Sequence, residues 1–248
     1  NLWHEPTTFL GTQRTQTESR IIPSTWRENG VGIYGKMTQF EYHLYYVTGL
    51  KAANSDGSSP IDASGIRNGR QKASKANASK GAIVARLDYK LQANTEVGAS
   101  IYSGKLNNTV SDVSHNVYDI HYDGTFGALK TRALWTELTL TNTDELNQEL
   151  TSNVAEKMNG YYVELGYDVL YGKSDWEVVP FYRYEVINTH AQVDDSITED
   201  PAQDEVHQTL GVVFKPMANI ALKVDYTKTT NEEKTGTDSW NLGAGWNF

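Results

Sequence analysis

The feature that most constrains this chain is a change of side-chain character at every second residue, sustained over segments of about ten residues and repeated along the sequence. In Ser239–Phe248, Trp240, Leu242, Ala244, Trp246 and Phe248 fall on one face and Asn241, Gly243, Gly245 and Asn247 on the other. Upstream, Ile220, Leu222, Val224 and Tyr226 oppose Ala221, Lys223, Asp225 and Thr227. Leu210, Val212 and Phe214 oppose Thr209, Gly211, Val213 and Lys215. In 161–171, Tyr161, Val163, Leu165, Tyr167, Val169 and Tyr171 oppose Tyr162, Glu164, Gly166, Asp168 and Leu170. In 81–91, Ile83, Ala85, Leu87, Tyr89 and Leu91 oppose Val84, Arg86, Asp88 and Lys90, and in 39–49 Phe40, Tyr42, Leu44 and Tyr46 oppose Glu41, His43 and Tyr45. Successive side chains of a strand point to opposite faces, so this pattern predicts strands with one apolar and one polar face. Two segments are less regular. Pro180 interrupts 176–186 and predicts a bulge or a broken pair, because proline has no N–H for a ladder. In 126–141 the apolar face of Leu129, Ala133 and Trp135 shifts beyond Trp135.

Segments of this length cross a bilayer when tilted. Aromatic residues sit at the ends of the apolar faces (Tyr161, Tyr171, Trp240, Phe248), where a membrane girdle belongs. The chain holds fifteen Tyr and six Trp, residue types that favour the membrane–water interface. A mean hydropathy of −0.55 reads naively as a soluble protein but does not decide it. A transmembrane barrel is apolar on its outer face alone. No apolar run is long enough for a membrane-spanning helix. A soluble β-barrel or sandwich also alternates, but seldom sets full charges opposite so many long apolar faces. The absence of cysteine removes thiol catalysis, disulfides and cysteine metal sites. A net charge of −9 argues against nucleic acid as a partner. Nothing at Asn1 resembles a signal peptide, which suggests a processed or incomplete chain.

The reading is therefore all-β: a transmembrane antiparallel β-barrel with about eleven strands, near 30–37, 39–49, 81–91, 95–103, 115–122, 126–140, 158–171, 175–187, 206–215, 219–229 and 238–248. Short connections (Thr38, Gln92–Asn94, Asp123–Thr125, Gly172–Ser174, Pro216–Ala218) alternate with long ones (Leu50–Lys80, Gly104–Ser114, Thr141–Lys157, Asn188–Glu205, Thr230–Thr237). Outer-membrane barrels pair short periplasmic turns with long outer loops, which puts Phe248 on the periplasmic side. Their strand number is normally even, so an odd count implies strands beyond those visible.

The runs NGYYVELGYDVL, VVPFYRYE, TLGVVFKPMANIALKVDY and NLGAGWNF resemble outer-membrane porins related to the phosphate-selective porins. LWHEPTTFLGTQR, IIPSTWRENGVGIYG and SGIRNGRQ share that likeness, which extends over nearly the whole chain as a single domain, 1–248. The resemblance implies sixteen strands, a homotrimer, a Gram-negative outer membrane with its lipid and lipopolysaccharide, and diffusion of small polar or anionic solutes, phosphate among them. No cofactor is implied. Phe248 would be the signal read by the barrel-assembly machinery. If the last strand is the sixteenth, residues 30–248 hold strands six onward, the first five are missing, and 1–29 is the connection that folds inward to narrow the pore.

Candidate site residues follow. His4, Glu5, Arg14, Glu18, Arg20, Arg27 and Glu28 line either that constriction or a solvated outer loop. Arg86, Lys130, Arg132, Arg183 and Lys223 fall on the polar faces, at positions that could share one height. They form an anion track, or they pair with Asp88, Glu164, Asp168, Glu185 and Asp225. Arg67, Arg70, Lys72, Lys75 and Lys80 make one loop basic, and Asp194, Asp195, Glu199, Asp200, Asp204 and Glu205 make another acidic. The acidic loop is either a calcium site or simply solvated. Residues 143–157 suggest a loop helix capped by Thr143 with Leu146, Leu150 and Val154 on one face. Six histidines occur without an HExxH or GxSxG motif, so no metal or catalytic site is expected. The leading reading is a porin rather than an enzyme. The alternative is a non-conducting scaffold or receptor barrel that holds a partner protein.

Overall fold

A computed structural model of the protein describes residues 5–74 and 76–247; His4, Lys75 and Phe248, named above, lie outside the described residues. Among the described residues eleven strands form one antiparallel sheet in chain order. They are β1 (Gly30–Met37), β2 (Phe40–Thr48), β3 (Gly81–Gln92), β4 (Thr95–Lys105), β5 (Ser114–Phe126), β6 (Leu129–Leu140), β7 (Lys157–Tyr167), β8 (Glu177–Gln192), β9 (Asp204–Met217), β10 (Ile220–Asn231) and β11 (Ser239–Trp246). All-β architecture and the strand-by-strand meander agree with the sequence. β1 and β11 are the two edges, each paired on one side only.

Three boundaries differ from expectation. Asp123–Thr125 is ladder, not turn: Asp123 pairs with Glu96 of β4 and Arg132 of β6, and the reversal waits for Gly127, whose φ of 58° a residue without Cβ adopts freely. β7 stops at Tyr167, so Asp168 lies in the turn before β8 rather than on a strand face. There its Oδ1 accepts the N–H groups of Leu170 and Val178, each at 3.1 Å. No register shift occurs at Pro180, which stands opposite Val212 of β9 in an unbroken ladder. The pairing of β8 with β7 has already ended at Phe181, so the missing N–H falls beyond that ladder.

The two faces of the sheet have inverted polarity. Leu222 is 44% exposed and its neighbour Lys223 only 6%; Val163 is 45% exposed and Glu164 only 4%. The exposed face carries Ile33, Leu44, Ile83, Leu87, Ile120, Trp135, Leu165, Leu210, Val224 and Leu242. The covered face carries Asp88, Arg183, Glu185 and Asp225. A soluble domain buries its hydrocarbon and exposes its charge; this sheet does the opposite.

The covered face turns apolar in two places: Val179, Phe181, Val213 and Ala221 pack with Leu10 near the short turns of β8–β10, and a larger cluster lies toward the long connections. Val84, Tyr102, Val117, Leu138 and Met158 form one row across β3 to β7. Onto that row the loops lay Leu50, Ile61, Ile66, Leu106, Val113, Leu146 and Val154, all fully buried. Each such side chain contributes roughly 1.5–3 kcal/mol by leaving water. This explains 126–141: alternation continues unbroken through Leu140, and what changes past Trp135 is the content of the covered face, where Leu138 and Leu140 meet the loop core. A loop helix α1 (Thr143–Leu150) forms with Leu146 inward, but it stops at Leu150 instead of running on toward residue 157. Its cap position is Asn142 rather than Thr143, and Val154 reaches the core from beyond the helix end.

Candidate functional site

Residues 5–29 lie along the covered face, with a single π-type turn at Thr17–Ile21. Buried charges hold this segment through its backbone. The Thr12 N–H donates to Asp225 Oδ2 at 2.5 Å and the Thr17 N–H to Glu185 Oε1 at 2.7 Å. Lys223 Nζ donates to the carbonyls of Phe9 and Gly11 and sits 3.8 Å from the centre of the Phe9 ring. Glu18 accepts the Tyr162 hydroxyl at 3.0 Å. Arg20 donates to Ser64 O and Thr189 Oγ1 and pairs with Glu205. Glu28 accepts from Trp26 Nε1 at 3.0 Å and Thr48 Oγ1 at 2.6 Å. Arg14 lies over Phe9, 4.7 Å from its ring centre, and burial lowers its pKa from the usual arginine value. The segment packs on the covered face because a peptide with so many unpaired N–H and C=O groups settles where charged side chains can satisfy them. Glu5 contributes its carbonyl, which accepts from Thr8, and Arg27 stays exposed at the rim of the cavity described below.

The five strand cations do not form one ring. Arg132 and Arg183 share a ladder row through Glu164; Lys130 is one covered position nearer the short turns and Lys223 two, while Arg86 is two nearer the loops. Register, invisible in a single strand, sets this stagger. Pairing also replaces stacking. Arg86 donates to both oxygens of Asp88 at 2.7 and 2.8 Å, Arg132 to Asp123 at 2.8 Å, Arg183 to Glu164 at 3.3 Å, and Lys130 to Glu177. Of the pairs expected, Arg86–Asp88 and Arg183–Glu164 form; Arg132 and Lys130 take Asp123 and Glu177 instead, and Lys223 binds backbone carbonyls.

Beside the segment an unfilled region remains. A cavity of ≈ 700 Å³ lies between β2–β7 and residues 18–28. Its loop-side lining is Ile22, Trp26, Val47, Val84, Tyr102 and Val117; its turn-side lining is Arg86, Ser100, Asp119, His121, Asp123 and Arg132. His121 is held at both nitrogens: Nδ1 is 2.6 Å from Asp119 Oδ1 and Nε2 is 2.8 Å from Asp88 Oδ1. Ser100 completes the chain by donating to Asp119.

No family model matches the chain. An uncharacterized protein of Aquifex aeolicus (strain VF5) is 30% identical over 263 aligned residues, which take in 100% of this chain. The chain spans 59% of that relative's length. Among solved structures, LpxR from Salmonella typhimurium aligns with 88% of each chain at 10% identity and a TM-score of 0.35.

The loop charges have structural partners. Arg67 donates to Ser19 O and Ser24 Oγ, and Arg70 to the carbonyls of Ser24 and Thr25, so the basic loop clasps the N-terminal segment. In the acidic loop Asp194 accepts from Ser196 and Asn147, and Asp200 from Ala202 N and Gln203. Among the described residues these carboxylates are dispersed and no cluster suited to a metal ion forms. The sequence reading did not bring His121 together with its two carboxylates. Asp119, His121 and Asp123 do share a face at spacing two; Asp88 joins them only because β3 and β5 flank Gly98, whose missing side chain leaves room for the His121–Asp88 contact.

Proposed function

We propose that the chain forms the wall of an outer-membrane β-barrel, and that its covered face with residues 5–29 makes a narrow polar passage for small solutes. One observation carries this reading: long neighbouring strands expose hydrocarbon and bury charge. Such a surface is stable against lipid, where an outward Arg or Lys at mid-membrane costs about 2–4 kcal/mol. The exposed backbone edges of β1 and β11 are not tolerated in hydrocarbon, so the proposal includes strand partners for both, as in the sixteen-stranded trimeric architecture that the sequence resembles. Residues 5–29 act as the constriction. The paired cations favour polar solutes of either sign over a phosphate track.

Reconstitution in planar bilayers tests the passage: discrete conductance steps are expected. A polypeptide that stays a compact, monodisperse folded monomer in detergent-free buffer overturns the membrane placement itself. The apolar core under the loops favours a second reading, a barrel closed at its outer mouth that holds a partner or ligand. That barrel inserts but shows no steady conductance.

A further inference from the structure

We propose that the cavity between β2–β7 and residues 18–28 is a binding pocket for a small amphipathic zwitterion. The ligand would have an aliphatic or aromatic body and a head bearing both an ammonium and a carboxylate. This deepens the passage reading and rests on it for water access to the covered face. The argument begins with register. Successive ladder rows change character in order: Val84–Tyr102–Val117, then Arg86–Ser100–Asp119, then Asp88–Gly98–His121. The pocket straddles that boundary, so its ligand must be apolar toward the long loops and polar toward the short turns.

A volume of ≈ 700 Å³ suits one small molecule. The charges select the head. An anion alone meets Glu18, Glu28, Asp119 and Asp123, and a cation alone meets Arg27, Arg86 and Arg132, all lining the pocket. Arg86 and Asp119 stand in one row on β3 and β5, two strands or about 10 Å apart. A head with both charges can address both, its carboxylate joining the Arg86–Asp88 pair and its ammonium the Asp119–His121 pair. Trp26, half-buried on the loop side and tilted against Tyr102 at 4.5 Å, supplies the platform for the body.

Isothermal titration of the detergent-solubilised full chain with L-phenylalanine, phenylacetate, phenethylamine and glycine tests this. Phenylalanine should bind at least about tenfold tighter than the other three, which lack one charge or the body. Arg86→Gln should erase most of its advantage over phenethylamine, and Trp26→Ala most of its advantage over glycine. If either variant fails to fold, the order of affinities in the unsubstituted chain decides alone. Phenylacetate or phenethylamine binding as tightly as phenylalanine overturns the proposal, as does heat from none of the four. Titration needs no conduction: a chain that conducts without binding loses the pocket alone, and one that binds without conducting loses the passage alone.

Discussion

The covered face has two halves built from the same alternating strands, and they end up different. On β7–β11 the N-terminal segment fills the space, and Lys223, Asp225 and Glu185 are consumed in holding its backbone. On β2–β6 the segment touches the wall at Arg132, Tyr102 and Thr48, but between those points Arg86, Asp88, Asp119 and His121 satisfy one another, and a cavity remains. The comparison teaches that a buried charge in such a sheet has no fixed role. What it does depends on whether backbone or another side chain reaches it first, since either compensates for the water it has lost.

Four experiments would break or sharpen this contrast. The largest effect belongs to the face rather than the half. Leu222→Arg should abolish membrane assembly, scored by heat-modifiable migration, whereas Lys223→Ala should assemble; equal tolerance of both inverts the assignment of faces. Next, Lys223→Ala combined with Asp225→Ala should free residues 6–14, because each buried group left without its partner costs about 1–3 kcal/mol. Limited proteolysis should cut there at least about tenfold faster, while Arg86→Ala with Asp88→Ala in the other half should leave that rate unchanged. A similar increase from both pairs would erase the distinction between halves. Third, Arg132→Glu and Arg183→Glu should both move the reversal potential in a salt gradient toward cation preference. Arg132 borders the cavity and Arg183 lies beneath the segment, so Arg132→Glu should move it further; no shift from either removes them from the solute path.

The smallest effect lies in the loops. Burial raises the Glu149 carboxyl, but the Ser111 and Thr109 hydroxyls and the backbone N–H groups of Val110 and Ser111 outweigh it and bring the pKa from 4.5 to about 2. A carboxyl depressed on folding stabilises above its unfolded value and loses that contribution as pH falls through its folded one. Amide exchange in 106–113 should therefore stay slow from neutral pH to about 4.5 and accelerate toward pH 2, beyond the intrinsic pH dependence. Glu149→Gln should be fast throughout. Because this side chain is largely exposed, the gain is a fraction of a typical buried hydrogen bond.

Much of the fold was legible because strand periodicity is local: Leu222 and Lys223 announce opposite faces without any neighbour. The elements, their order and the placement of charge on one face follow from that rule. Turn positions were less legible, since Asp123–Gly124–Thr125 has turn composition and yet Asp123 and Gly124 are held in a ladder on both sides and Thr125 on one. The site was half legible. Arg86, Arg132, Arg183 and Lys223 were found as inward cations, and Asp88 and Glu164 as partners, but their stagger, the Arg132–Asp123 pair and the carbonyl partners of Lys223 were not.

The sequence by itself determined which side chains meet hydrocarbon and which meet the interior, because that choice depends only on a residue's parity within its strand. Tertiary structure alone decided which charges meet each other, where the segment before β1 settles, and where space is left. Those outcomes depend on inter-strand register and on contacts between residues as far apart as Thr12 and Asp225, and no short-range pattern encodes either.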